Sequence, residues 1–586
     1  MTPRSPRRTA SSLSLLGASI LIAAACGGDK RTLTAPPAPF DIVDAGTCLD
    51  RCSLDGRSIL RCSGEIEPCP AELACGGGSC KEPCDAAAID GSTDGCAFFM
   101  QPPVIEPTGH TPFGCYAAYI VNTSTIPAEV ELEFEGEALD VSNAMYRTVP
   151  GDTELVRHEG PLAPGDGVVL FVSDAPESSA GIRCPSEVVP ALVRDFVPQG
   201  TEIGSSFHLK TSAPVSAATI FPYGGAISQY PSATILLPVA SWSNENILIT
   251  PWEGTFRFSP GVQIVASEDD TDVTLIAKAD IRLGAGVEPA RAGVPTTYRL
   301  QKGQFLQIVQ AEELTGSFVT STKPTSTFAA HSCAMIPAHV GACDTIGTQI
   351  TAFERWGSEY VAAGYRPRTQ DTLEPMPYRI VAARDGTRLD YDPEVPRGAP
   401  LTLNAGESAT FAAGVGEPFV VRTQDAEHPI YVGAYMSGAN GDYWDSGRNW
   451  KRMGDPEFIG VPPSEQYLTK ASFFADPTYA HTSLTIVRSK TDGEFKDVIL
   501  NCLGGPVSDF KPIGTRGTFE YAHVDLSVSR QPVEYADGKS CHYGAHRLTS
   551  EGLFTASIWG WDVHASYAYP SGMSMRKLIS TPLVPK

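Results

Sequence analysis

From Cys96 onward the chain alternates apolar and polar residues in short runs, such as Ala128–Phe134 (AEVELEF), Val168–Val172 and Ile247–Thr250. A period of two places one face of each run on a core, which predicts strands. Gly, Pro, Asn and Asp separate the runs, and no stretch beyond Cys96 sustains a 3.6-residue apolar period for three turns. The most informative segment is Glu313–Cys343 (ELTGSFVTSTKPTSTFAAHSCAMIPAHVGAC). Proline presets φ and has no amide for a central ladder, so this segment is predicted as two short strands joined by a tight turn at Lys323-Pro324. The same strand, turn, strand pattern recurs at Ser206–Pro222 and at Phe419–Tyr435.

Landmark spacing extends this into a divergent repeat. The turn prolines Pro214, Pro324 and Pro429 lie 110 and 105 positions apart. A strand with an acidic turn at Val265–Val273 matches Val381–Leu389, 116 positions on, with a weaker third copy from Ile486 to Glu494. A Leu-x-x-Gly precedes strands at Leu162, Leu300 and Leu403, while Trp242 and Trp356 mark the start of two copies. A copy of about 105–116 residues holds six to eight strands, the size of a β-sandwich. The expectation is therefore an all-β body of tandem β-sandwich-like units: 96–225, 226–345, 346–447 and 448–586. The last unit departs from the repeat in sequence. The alternative is a large β-propeller with two blades per repeat.

Composition and charge narrow the class. Of the 586 residues, 42% are apolar and 19% charged, as in a globular protein. A net charge of −23 argues against nucleic acid as a partner, since a phosphate-binding face needs clustered Lys and Arg. At the N-terminus, Arg4, Arg7 and Arg8 precede an apolar core from Leu13 to Ala25, too short to span a bilayer of about 30 Å. Ile22-Ala-Ala-Ala-Cys26-Gly-Gly reads as a bacterial lipobox, although Ala23 stands where Leu is commoner. The reading is a lipoprotein signal peptide over 1–25, lipidation at Cys26, and a flexible tether over 26–47. Gly27 after the cysteine favours the outer membrane.

The 15 cysteines leave an even 14 once Cys26 is set aside, which in an exported protein implies disulfides. Eight run from Cys48 to Cys96, seven of them in a module (48–95) with too few large apolar residues to build its own core. No Cys-x-x-Cys pair is present there, and an oxidising compartment favours bridges over zinc. Loop length pairs Cys333 with Cys343, and Cys502 with Cys541 as the two in the last unit. Cys115 pairs with Cys184 if Cys96 bonds within the cluster. Each bridge is worth roughly 2–4 kcal/mol.

Gly316-Ser-Phe-Val-Thr-Ser-x-Lys-Pro324, His331-x-Cys333 and Val340-Gly-Ala-Cys-Asp344 resemble the N-terminal region of IgGFc-binding-protein-like proteins. Gly95-Cys96-Ala-Phe-Phe and the closing Gly560-Trp-Asp, then Ser566-Tyr-x-Tyr-Pro-x-Gly572, extend the resemblance over roughly residues 95 to 575. Many bacterial members are secreted or lipid-anchored. The resemblance implies binding or adhesion at a cell surface, with a protein or glycan ligand that no residue identifies.

No nucleophile elbow, zinc-protease helix, phosphate loop or dinucleotide fingerprint is present, so no catalytic residue is assigned. His331 lies beside a cysteine expected to be bridged, and a cystine sulfur is no nucleophile. Calcium is the one cofactor the sequence suggests, at Glu268, Asp269, Asp270 and Asp272, although this loop lacks the Gly and distal Glu of an EF-hand. Trp559, Trp561, Tyr567 and Tyr569 read as core or as a sugar platform. The competing classes are a secreted carbohydrate-active hydrolase and a structural envelope component.

Overall fold

The computed structural model describes residues 48–584 except 105–112, 150–151, 177–180, 195–198, 229, 256, 370, 445–446 and 536–537. The expected signal peptide, tether and Cys26 lie outside the described residues.

The cysteine-rich module has strands of two or three residues and one α-helix, Pro83–Asp90. Proline at the helix start needs no amide partner there, and Gly91 ends the helix at φ 59°, a left-handed conformation that glycine adopts without strain. Bridges Cys48–Cys62, Cys52–Cys75, Cys69–Cys80 and Cys84–Cys96 replace a core. Among the described residues beyond Cys96, every regular element is a strand or a single turn of 3₁₀ helix. There, Cys115 is bonded to Cys184, Cys333 to Cys343 and Cys502 to Cys541.

The predicted turn at Lys323-Pro324 is not a turn. Phe318–Ala334 is one continuous strand of 17 residues that changes partners at the proline. Its first half lies between Ser243–Ile247 and Thr271–Ile276. Its second half lies between Pro260–Ala266 and Asp344–Ile350. Thr296–Leu300 extends the first group and Gln304–Val309 the second. The result is two sheet layers sharing one long strand. Pro324 falls at the register break, where a missing amide leaves no ladder partner unsatisfied. Its carbonyl accepts the Ser267 amide at 3.2 Å.

The scheme recurs three times. In the first set the shared strand is Phe207–Phe221, broken in register between Lys210 and Val215, and the Pro214 carbonyl accepts the Thr123 amide. The third set splits it into Phe419–Thr423 and Ile430–Met436, with the Pro429 carbonyl accepting the Ala383 amide. In the fourth set the shared strand is Gly544–Asp562. Leu468–Ala475 and Val498–Leu500 flank its first half, His481–Ser489 and Ala565–Pro570 its second. The last unit thus keeps the pairing scheme that its sequence conceals, its register shifting opposite Leu468–Lys470 without a proline. These are tandem sandwich-like units. A large propeller is overturned, because its blades are separate meanders whereas here one strand belongs to both layers of each set.

Trp242 and Trp356 each follow a 3₁₀ turn that leads from one set into the next, and each indole donates at 3.0 Å to the carbonyl five residues earlier. The last strands of the sets, Ser232–Ile235, Asp344–Ile350, Glu457–Gly460 and Ala565–Pro570, pack against one another in cyclic order. The four sets therefore meet around a central column, and each of the larger apolar clusters but one draws residues from two neighbouring sets.

Candidate functional site

Two places gather chemistry. The first is the central column. Asp344 and Glu457 open two of its strands and Asp455 lies two residues before Glu457; all three are at most 2% exposed. Glu457 accepts from its neighbour Phe458's amide at 2.9 Å, from the Ala233 amide at 3.3 Å and from the Ser232 hydroxyl at 3.3 Å. Neither oxygen of Asp344 makes a well-formed hydrogen bond, and only the nearby Ser566 amide favours its charged form. Burial raises Asp344 well above the usual carboxylate range, and Asp455 and Glu457 push it further. Burial likewise raises Glu457, and lifts Asp455 to about 7 against the pull of the Ala439 amide and Arg368. Next to them Asp476, also raised by burial, accepts from the Tyr119 hydroxyl and the Thr478 amide. These acids are sealed from any polymeric substrate, and among the described residues no group of three or more His, Cys, Asp or Glu is placed to hold a metal ion.

The second place is open. A cleft of about 320 Å³ lies where the cysteine-rich module, the first set and the fourth set come together. Asp55 and Arg57 come from a turn of the module, and Asp94 from the segment leading into the first set. Asn122–Thr125 form the turn after the strand Tyr116–Asn122. In the fourth set Ser472 pairs with Arg547 and Lys470 with Thr549, so Lys470, Ser472 and Arg547 project on one face. Asn122 is spent internally, donating to the Ile126 and Leu162 carbonyls at 2.8 Å and accepting the Ser124 amide. Asn501 holds the far wall, accepting the Arg547 amide at 3.0 Å. Asp94 is raised by burial, against Lys470, the Thr123 hydroxyl and Arg547.

The residues singled out from sequence lie elsewhere. Asp270 and Asp272 are both taken by Arg299, at 2.9 and 3.0 Å. Asp269 accepts the Lys302 amide, and Lys323 stands 3.9 Å from Glu268. Opposite charge on the adjacent strand thus occupies the loop considered for calcium. His331 is fully buried, receives the Cys333 amide on Nδ1 at 3.1 Å and is lowered to about 4 by burial. His546, by contrast, lines the cleft, with Nε2 meeting the His542 carbonyl at 2.7 Å and Nδ1 facing Asn501. Trp559, Trp561, Tyr567 and Tyr569 are buried in the core and offer no sugar platform. Sequence reasoning missed both places described above. Asp344 closes the quoted Cys343-Asp344 motif, but nothing local distinguishes it from a surface acid, and Lys470 and Arg547 read as ordinary strand residues.

A disulfide-rich all-β body built from repeated two-layer units, with an open polar cleft, is consistent with an extracellular binding module. A model of the family described as IgGFc binding protein matches residues 232–560, more than half of the chain, and the chain belongs to that family. The human (Homo sapiens) IgGFc-binding protein is 25% identical over 304 residues, which are 50% of this chain and 5% of that protein. The chain therefore spans a small part of that relative's length. The family is named for binding and not for a reaction. No helix among the described residues is long and apolar enough to cross a membrane.

Proposed function

We propose that the chain is an exported binding protein, anchored to the outer membrane through a lipid on Cys26, and that it adheres to a ligand at the cell surface through the cleft between module and body. It is not an enzyme. The observation that carries the reading is the cleft itself: Arg57, Lys470 and Arg547 surround about 320 Å³ in a chain of net charge −23. A pocket of this size with convergent polar groups is the usual form of a small-ligand seat. The name of the human relative adds weight to protein binding, and immunoglobulin belongs among the ligands to be tried.

The test uses the full-length exported chain against glycans, mucins, immunoglobulin and whole bacterial cells, with calcium and with EDTA. Saturable binding to at least one is expected, and its loss in EDTA would bring calcium and the Glu268–Asp272 loop into the mechanism. Absence of binding to every surface overturns the adhesive reading and favours an envelope component. Radiolabelled fatty acid should enter the wild-type chain and not Cys26→Ala; equal labelling of both would remove the anchor.

A further inference from the structure

We propose that the cleft is a seat for an acidic sugar, a pyranose ring carrying a carboxylate or sulfate, and that Lys470, Arg547 and Arg57 hold its charge. This deepens the binding reading above and rests on it.

The first support is the state of these cations. Arginines across the chain are mostly committed to carboxylates, as in Arg61 with Asp50, Arg183 with Asp174, Arg368 with Glu374 and Arg488 with Glu520. Among the described residues Lys470 and Arg547 enter no ion pair, and Arg57 offers one long 3.4 Å bond to the Thr125 carbonyl. Three cations outside any ion pair outnumber the two carboxylates of the same lining, Asp55 and Asp94, on which they act only at longer range, so the concavity keeps a net positive charge in a strongly acidic protein. Lys470 and Arg547 project from paired strands, a rigid base that loses little freedom when a ligand binds.

The second support is the rest of the lining. A cleft of about 320 Å³ is far larger than an inorganic anion fills and suits one sugar ring. Between the cations stand hydroxyl and amide groups, among them Thr123, Ser472 and Asn501, and the carboxyl of Asp94. Such a mixture of donors and acceptors matches ring hydroxyls, whereas an apolar ligand would leave these groups unpaired. No Phe, Tyr or Trp lines the cleft, and the His546 ring is held by the His542 carbonyl and Asn501, so recognition here is by charge and hydrogen bonds.

Titration calorimetry on the full-length exported protein tests this with sialyllactose, a glucuronate-terminated disaccharide and a sulfated lactose, against neutral lactose and sodium sulfate. The acidic saccharides are expected to bind at least about tenfold more tightly than lactose, and more weakly as salt rises. Lys470→Gln and Arg547→Gln should each weaken them about tenfold with an unchanged unfolding midpoint, while Arg157→Gln, at an exposed pair with Glu159, should bind as wild type. Equal binding of acidic and neutral sugars, or undiminished binding by the Lys470→Gln/Arg547→Gln double variant, overturns the proposal. Competition by sulfate as strong as by the saccharides reduces the cleft to a simple anion site and overturns the sugar assignment. Capture of proteins or cells by a chain that ignores every acidic saccharide leaves the binding reading standing and removes this one alone.

Discussion

Glu374→Ala is expected to cost about 3–5 kcal/mol of stability, because it strands a buried guanidinium. The Arg368 and Glu374 side chains are both 0% exposed, with Nε and the carboxylate 2.6 Å apart. Glu374 also receives the Tyr365 hydroxyl at 2.6 Å and the Arg368 amide at 3.0 Å. Arg368 donates to the carbonyls of Ser437 and Met453 and to the Ser437 hydroxyl, and lies 4.9 Å over the Trp450 ring. Every guanidinium nitrogen has a partner, so the pair ties three segments of the third set together without an uncompensated charge. Removing one partner leaves the full desolvation cost of the other, whereas removing both and filling the space costs less. Urea denaturation of the full-length protein should show Glu374→Ala well below wild type, and Arg368→Met/Glu374→Leu recovering much of the loss. A loss under about 1 kcal/mol for Glu374→Ala would show that water reaches the pair.

The second large effect is a fall in stability as pH rises from about 6.5 to about 8. Asp344, Asp455 and Glu457 are raised above their unfolded values near 4, so the fold keeps them protonated. A carboxyl raised on folding contributes stability that is complete below its unfolded pKa and disappears as pH climbs through the folded value, about 7 for Asp455. Each unit of displacement is worth roughly 1.4 kcal/mol at most. Histidines act in the opposite sense. His208, His331 and His546 are lowered to about 4 by burial, so their stabilisation is present above 6.5 and is lost as pH falls towards 4. The two effects oppose each other between about pH 4 and 6.5, and above 6.5 the acids act alone. The groups facing them from other elements include Arg368, His564 at 3.9 Å from Asp455, and the Tyr230 and Tyr479 rings. Asp344→Asn and Asp455→Asn mimic the protonated state, and each should flatten the decline and raise the unfolding temperature at pH 8. A midpoint that rises between pH 6.5 and 8, or variants with the wild-type slope, would show that the column is ionised and solvated.

Much of the architecture was legible in local pattern. Alternation in runs such as Val130–Phe134 gives strands because side chains on a pleated backbone point to opposite faces, so the inward residues must be apolar wherever the sheet packs. The spacing of Pro214, Pro324 and Pro429 revealed the repeat because each proline marks the same event, a strand leaving one layer for the other. Its meaning was misread. Proline ends a strand only where its amide would have had a partner, and at a register break none is required. The fourth unit was expected but read as departing from the repeat, because a shared strand can cross between layers without proline, as Gly544–Asp562 does.

Neither the cleft nor the column leaves a local trace. Arg57, Asp94, Thr123, Lys470 and Arg547 come from five separate segments, and an uncommitted lysine in a strand looks the same whether it faces solvent or a cavity. Asp344 and Glu457 occupy ordinary strand-start positions and Asp455 the segment just before one, where an acid would normally be hydrated. What the chain determines by itself is what near neighbours decide: strand periodicity, a cysteine module that must be bridged, repeat length and net charge. What only the tertiary structure decided is where charge is left without a partner. That depends on which distant strands pair and how the four sets close on one column, because desolvation and Coulomb interactions act across space and take no account of sequence separation.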